Sequence, residues 1–147
     1  MIGPYPVQPL IDRVVTQCPK ARLVGSAADL DTALRTPPNT SPAVFLLTQE
    51  RGGQEKYSGA TAIQNVSVDV TVVVLVRNVA GTHGTAARGE ADALIAELRA
   101  ALVGWTPDEA FNALTFSAGR DDRYAAGWYA GQQIFKTDYR LRNEVRP

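Results

Sequence analysis

The most regular hydrophobic pattern of the chain is a long alternation near its middle. Valine occupies every even position from Val66 to Val76, which predicts a β-strand with one face buried along its whole length. The odd positions are polar in the first half of this strand and become apolar at Val73 and Leu75. The far half of the strand therefore needs a second cover, either from another segment of the same chain or from another subunit.

Apolar residues at helical spacing predict two main helices, which cover one face of a sheet. The first helix ends before Pro19, and the second spans residues 86–102, with an apolar stripe and charged residues mostly off that stripe. Ser26 and Asp29 resemble a capping box, which predicts a short third helix that ends near Leu34.

Four further segments predict strands, at residues 22–25, 43–48, 113–117 and 128–141. Residues 49–60 contain three glycines and several charges, which predict a mobile loop that projects from the sheet, and residues 78–84 predict a linker. The order of segments favours a hairpin between the segment at residue 43 and the valine strand. We therefore predict one α+β domain over residues 1–147, with a mostly antiparallel sheet of four to five strands and two main helices packed on one face.

Composition excludes several classes of function. The chain has 15 basic and 15 acidic residues, so its net charge of zero provides no general attraction to nucleic acids or membranes. Cys18 is the only cysteine, which excludes an internal disulfide and a thiolate-based zinc site, and its apolar helical setting predicts burial. The N-terminus does not resemble a signal peptide, and no apolar segment has the length of a membrane span. These features predict a soluble protein that is made in a reducing cytoplasm and has no membrane partner.

The residues that could carry catalysis are isolated in the sequence. His83 is the only histidine and lies in the glycine-containing linker, without a nucleophile or carboxylate at a linked position. Asp121 and Asp122 could act as paired carboxylates, but the flanking arginines and the nearby Gly127 favour a solvated turn. We therefore predict that the protein is not an enzyme and uses no metal and no cofactor.

The order of these segments resembles the tail terminator (tail completion) proteins of long-tailed bacteriophages, including the Gp37-like and lambda-U-like groups. The resemblance covers nearly the whole chain and is carried by the valine strand, the helix that ends at Leu102, and a set of residues after it: Gly104, Trp105, Thr106, Pro107, Trp128, Phe135, Thr137 and Tyr139. The family implies an α/β fold that assembles, typically as a hexameric ring, on top of the tail tube. Such a ring stops tube polymerisation and presents a surface to the neck or head-completion proteins.

The resemblance implies partners and contact surfaces but no catalytic residues. The implied partners are further copies of the chain, the tail tube protein, a neck or head-completion protein, and DNA that passes through the lumen. The implied location is the virion, after assembly in the host cytoplasm. Candidate contacts to another subunit or to the tube are Arg51, Lys56, Tyr57, Val73 and Leu75. Candidate residues of the ring lumen or its head-facing rim are Lys136, Arg140, Arg142 and Arg146.

Several alternatives stay open at the level of sequence. The chain could be a different neck protein, such as a head-completion or connector protein, or a small-molecule-binding α+β module. A binding module predicts a concave and mostly apolar pocket, whereas an assembly protein predicts a long projecting loop without one. Residues 26–34 or the linker at residues 78–84 could cover Val73 and Leu75 within the same chain, and the basic residues near the C-terminus could be a solvated face of an edge strand.

Overall fold

A single mixed sheet organises the computed structural model, which describes residues 2–35, 40–80, 85–125 and 127–147. The helices and strands of this described part are α1 (Val7–Gln17), β1 (Leu23–Gly25), α2 (Ala27–Arg35), β2 (Ala43–Ser58), β3 (Thr61–Arg77), α3 (Thr85–Leu102), β4 (Thr115–Ala125) and β5 (Trp128–Glu144). The strand order is β1-β2-β3-β5-β4, in which only the β1–β2 pair is parallel. The predicted α+β fold with a mostly antiparallel sheet is confirmed.

The even positions of β3 form the centre of the core, as their pattern predicts. Its six valines at these positions are at most 6 % exposed, and α1 and α3 pack over them. Burial of each such side chain contributes about 1.5–3 kcal/mol. We call this side of the sheet the helix face. The same layer contains further buried side chains from α1, α3 and β5: Leu10, Val14, Leu94, Leu98, Tyr129 and Phe135.

We call the opposite side of the sheet the open face. Helix α2 covers the part of this face that contains Val73 and Leu75. Leu75 is 8 % exposed and packs with Ala33 and Phe45, and the half-buried Val73 and Leu30 lie against the same cluster. The cover that β3 requires therefore comes from residues 26–34 of the same chain. The prediction that both side chains are exposed for contact with another subunit is wrong, because α2 occupies that space.

The position of α2 depends on the capping interaction that the sequence predicts. Asp29 Oδ2 accepts hydrogen bonds from the backbone N–H of Ser26 at 2.8 Å and from its hydroxyl at 3.1 Å. These bonds satisfy a backbone donor at the helix start and fix the direction in which α2 leaves β1. The helix is thereby directed across the open face.

The segment predicted as a mobile loop, residues 49–60, is strand for most of its length. β2 stays paired with β3 to Ser58 across one bulge after Gly52, and a turn at Gly59 and Ala60 connects them. The loop prediction is wrong because backbone bonds to β3 satisfy this polar segment. Its side chains, all exposed from residue 51 to residue 60, do not need a core to pack against.

The predicted turn at Asp121 and Asp122 is also strand. Both residues belong to β4, which pairs with β5 through two register shifts, and the chain reverses near Gly127, whose φ is 80°. β4 is an edge strand whose side chains are exposed from Thr115 to Arg123, so charged residues are compatible with the strand there. The predicted linker at residues 78–84 is described only to residue 80, and His83 lies outside the described residues.

The two faces of β3 provide a test of the packing. We expect Val72→Asp and Leu75→Asp each to destabilise the protein by several kcal/mol, roughly its whole stability, because each places an unpaired charge under a helix. Val79→Asp is the matched control, because Val79 is 72 % exposed. Urea unfolding followed by circular dichroism measures the three effects. A stable, folded Leu75→Asp variant would contradict the cover by α2.

Candidate assembly interface

The outer part of the sheet is a three-stranded extension, which we call the arm (residues 52–66 and 139–144). It consists of the ends of β2, β3 and β5, since β5 stays paired with β3 until Glu144 lies opposite Thr61. The central strand has hydrogen-bonded neighbours on both sides, so the arm is more constrained than an isolated hairpin. Gln64 Nε2 also donates to the Gly53 carbonyl at 2.8 Å and thereby braces the bulge.

The open face of the arm gathers three cationic side chains. Ile63 of β3 lies directly between Lys56 of β2 and Arg142 of β5, and Arg140 lies opposite Asn65 on the same face. All three cationic side chains are exposed, and none forms an ion pair within the described part of the chain. A chain with zero net charge thus presents a local positive patch, which we call the basic patch (Lys56, Arg140 and Arg142).

The carboxylates of Asp69 and Asp138 border the basic patch on its side toward the centre of the sheet. Asp69 Oδ2 lies 3.2 Å from Arg51 Nη2, and Lys136 lies directly across from Asp69 on β5. Asp138 accepts hydrogen bonds from Asn65 Nδ2 at 3.1 Å and from the side-chain amide of Asn112. The solvent-accessible ion pair of Arg51 with Asp69 adds at most about 1 kcal/mol, and the partners of Asp138 are neutral amides, so the positive patch ends at these carboxylates.

The structure separates the predicted contact residues into groups. Those exposed on the open face of the sheet are Arg51, Lys56, Lys136, Arg140 and Arg142. Tyr57 is on the opposite face of the arm, and Arg146 follows the end of β5. Val73 and Leu75 lie under α2. Lys56 comes together with the C-terminal arginines, although sequence reasoning assigned them to different surfaces. The strand register across Gly59 and Ala60 was the missing information.

Glu50 fastens the base of the arm to the N-terminal segment, and sequence reasoning did not identify it. Its Oε1 accepts the backbone N–H of Tyr5 at 2.9 Å, and the Tyr139 hydroxyl also bonds to this carboxylate. Burial, followed by the bond to Glu50, raises the pKa of Tyr139. The rings of Tyr5 and Tyr139 each contact Phe111 edge to face at 5.0 Å. The arm therefore begins from a rigid base.

A second polar region lies in the cleft between α3 and the edge strand β4. The Tyr129 hydroxyl donates to Asp121 at 2.7 Å, and Arg88 pairs with the same carboxylate. These contacts, the Tyr129 bond above all, hold the pKa of Asp121 below its usual range. Asp121 is therefore an ionised, paired carboxylate, which does not suit it to act as a general acid at neutral pH.

Arg99 occupies the other end of this cleft. Its Nε and Nη2 donate to Gln133 Oε1 at 3.0 and 2.8 Å, and its guanidinium lies 4.3 Å above the ring centre of Phe116. Gln133 is buried, so Arg99 satisfies the acceptor of an amide inside the core. No carboxylate within the described part of the chain forms an ion pair with Arg99.

The described residues contain no group of three metal-binding side chains, and none of their helices combines the length and apolarity needed to cross a membrane. Cys18 is buried, as predicted. Burial, with a smaller contribution from Glu97, raises the pKa of its thiol to about 11, so the reactive thiolate is disfavoured.

Comparisons with known proteins agree with this architecture. The model of a family described as "Phage tail terminator protein" matches residues 1–146. No curated protein matches the chain. A solved chain described as "Virion of native gene transfer agent (GTA) particle" is 18% identical, with a TM-score of 0.52, and the match covers 82% of this chain and 80% of that chain. At this level of identity the structural match supports the fold alone.

The arm should exchange its amide hydrogens faster than the core. We expect residues 53–60 of the free protein to exchange roughly 100-fold or more faster than the buried half of β3, because their hydrogen bonds are exposed to solvent on both faces. Hydrogen exchange measured by mass spectrometry compares the two segments within one sample. Equal protection would show that the arm and the core open as one unit.

Proposed function

The chain belongs to the phage tail terminator family, and we propose that it forms a hexameric ring that caps the tail tube, stops tube polymerisation and joins the tail to the neck proteins. As a member of this family the protein is a structural component of the phage tail and is located in the virion. The observation that supports the capping role is the arm, an ordered extension whose outer residues are exposed on both faces.

The arm is suited to contact the end of a tube because its outer residues, 52–60 and 142–144, are exposed, whereas Val66 and Tyr139 at its base belong to the core. Its outer residues bury no side chain in the core, so their contribution to folding is small, and a surface of this kind can be committed to a partner. Tyr57 is 67% exposed, and tyrosine is enriched at protein interfaces because it combines a large apolar ring with a hydroxyl. We assign Arg51, Lys56 and Tyr57 to contacts with the tube or with a neighbouring subunit.

The basic patch supports a role near DNA. In a ring, each copy would repeat Lys56, Arg140 and Arg142 at the same height, and the repeated cations would surround anything that passes through the lumen. Cations that contact phosphates bind DNA without reading its sequence. We therefore assign Arg140 and Arg142, together with Lys136 and Arg146, to the lumen or its head-facing rim.

A catalytic role finds no support in the geometry. Asp121 is engaged by Tyr129 and Arg88, and Cys18 is buried, so neither is available as a nucleophile or general acid. The clefts at the base of the arm and beside α3 are open and include several charged side chains, whereas small-molecule sites are mostly apolar and enclosed. We propose that the protein acts through assembly alone.

Removal of the protein from an otherwise complete phage should produce tails of irregular length, because nothing then stops the tube from growing. Electron microscopy of particles from cells without the protein measures the length distribution. Tails of uniform length that fail only to attach heads would assign the protein to the neck instead.

We expect rings of the purified protein to form equally in EDTA, since the proposed assembly uses no metal.

The proposed lumen can be tested with paired charge variants. We expect Arg140→Gln with Arg142→Gln to weaken binding of the assembled ring to double-stranded DNA, and to flatten its salt dependence by about 0.9 in slope for each phosphate that is no longer neutralised. Lys20→Gln with Arg22→Gln is the matched control, because both residues lie outside the arm. Equal DNA binding by the two double variants would favour a solvated strand face.

A further inference from the structure

The sheet has two long free edges, and we propose that they pair between neighbouring copies, so that the arm part of β2 in one copy extends the sheet at β4 of the next. This inference rests on the proposed ring and names the surfaces that would hold it together. The occupant of the β4 edge is thus a second copy of this chain.

Both edges are open in the described part of the chain. β1 pairs only with the first residues of β2, Ala43 to Phe45, so the outer side of β2 has no strand partner from Leu46 to Ser58. β4 pairs only with β5, so its outer side is also unpaired. Unpaired backbone donors and acceptors of this length are a template for another strand.

Strand direction is compatible with this pairing. β2, β3, β5 and β4 alternate in direction across the sheet, so β2 and β4 run in opposite directions at its two ends. Copies related by rotation about an axis along the strands keep their strand directions. β4 would therefore meet the next β2 in an antiparallel sense and continue the alternation. The two edges are different surfaces, so the contact is head-to-tail and can close into a ring.

The two free edges lie at different heights along the sheet. β4 stands beside the half of β5 that spans Trp128 to Lys136, whereas most of the free part of β2 belongs to the arm. Pairing them staggers each copy relative to its neighbour along the strands. A sheet that closes into a cylinder requires such a stagger, because its strands must tilt relative to the axis.

Side chains on the helix face select one register. Tyr57 and Glu55 lie opposite Ala62 and Gln64 on the helix face of the arm, and Phe116 is on the same face of β4 and is 41% exposed. Placing Tyr57 beside Phe116 joins two exposed aromatic rings that each lack a full cover. The same register directs Glu55 toward the cleft beside α3.

This register also pairs two charges. Glu55 is exposed and forms no ion pair within the described residues, and Arg99 at the cleft likewise has no carboxylate there. Gly119 follows Phe116 on the helix face of β4, and the Gln133 amide occupies the space beside it, since a Cβ at that position would lie 2.7 Å from Gln133 Nε2. The open cleft beside α3 is lined by Arg99, Phe116 and Gly119, so a Glu55 side chain from the next copy can approach Arg99 from the solvent side of this cleft.

The same features protect the edge from unspecific pairing. β4 has two register shifts and carries charged residues from Arg120 to Arg123, both of which disfavour addition of an arbitrary strand. An edge of this kind admits a strand whose bulge and charges match. The bulge between Gly52 and Glu55 in β2 adjoins the residues that would pair with β4. Specificity then arises from rejection of other strands as well as from attraction.

Disulfide trapping in assembled tails tests the inference. We expect a chain with Tyr57→Cys and Phe116→Cys to form covalent multimers on oxidation, up to a closed ring, on non-reducing gels. Cys18 can remain because it is buried. The control carries Tyr57→Cys with Val15→Cys, since Val15 is exposed on α1 and belongs to neither edge strand. Multimers no more abundant than in the control would overturn the edge pairing.

Charge reversal provides a second measurement that preserves both aromatic rings. Glu55→Lys should raise the protein concentration at which rings form by about ten-fold or more, since it brings two like charges together. Glu109→Lys is the control, because Glu109 is exposed and lies outside both edges. Equal effects of the two changes would overturn the register.

The two proposals fail in different ways. Rings of the double-cysteine variant that form without cross-links would refute only the edge pairing. Absence of the protein from the tail, or of any ring there, would refute the proposed function as well.

Discussion

The structure depends on one constraint, which is that a strand at the centre of a sheet must find cover for two faces at once. β3 has β2 on one side and β5 on the other along nearly its whole length. Its helix face is covered by α1 and α3 where the even valines are buried. Its open face is covered by α2 only as far down as Val73 and Leu75. Where the helices end, the same three strands continue as the arm, and their side chains become polar.

This division explains which parts of the fold could be predicted from the sequence. The alternation of β3 and the apolar stripe of α3 are strong patterns because burial acts on every second or every third to fourth residue. The strand from Arg51 to Ser58 has no such pattern in the sequence, because its side chains are exposed to solvent and its backbone hydrogen bonds are made with β3. Asp121 and Asp122 were misassigned for the same reason, because an edge strand needs no apolar residue on its solvent side.

The contact surfaces were harder to predict than the fold because they depend on register. The closing strand alternates Lys136, Arg140 and Arg142 with buried residues, and that alternation is visible in the sequence. The sequence does not show that Lys56 and Arg142 lie on either side of Ile63, because this arrangement depends on the bulge after Gly52 and on the length of the turn. One residue more in that turn would move Lys56 to the opposite face. The roles of Glu50 and Arg99 also depend on contacts between residues far apart in sequence.

The arm combines a rigid base with an outer part that contributes little to the stability of the single chain. At its base, Glu50 bonds to Tyr5 and Tyr139, and the carboxylate of Asp138 bonds to Asn65 and Asn112. Beyond these bonds the strands are held mainly by their own ladder and by the bond from Gln64 to the Gly53 carbonyl. An arm that bends freely would lose entropy on every contact with a partner, whereas an arm held at its base has already lost most of it. The polar, exposed sequence of the arm therefore fits a surface that is pre-organised for assembly, and the zero net charge of the chain keeps the local positive charge of the basic patch from becoming a general attraction to polyanions.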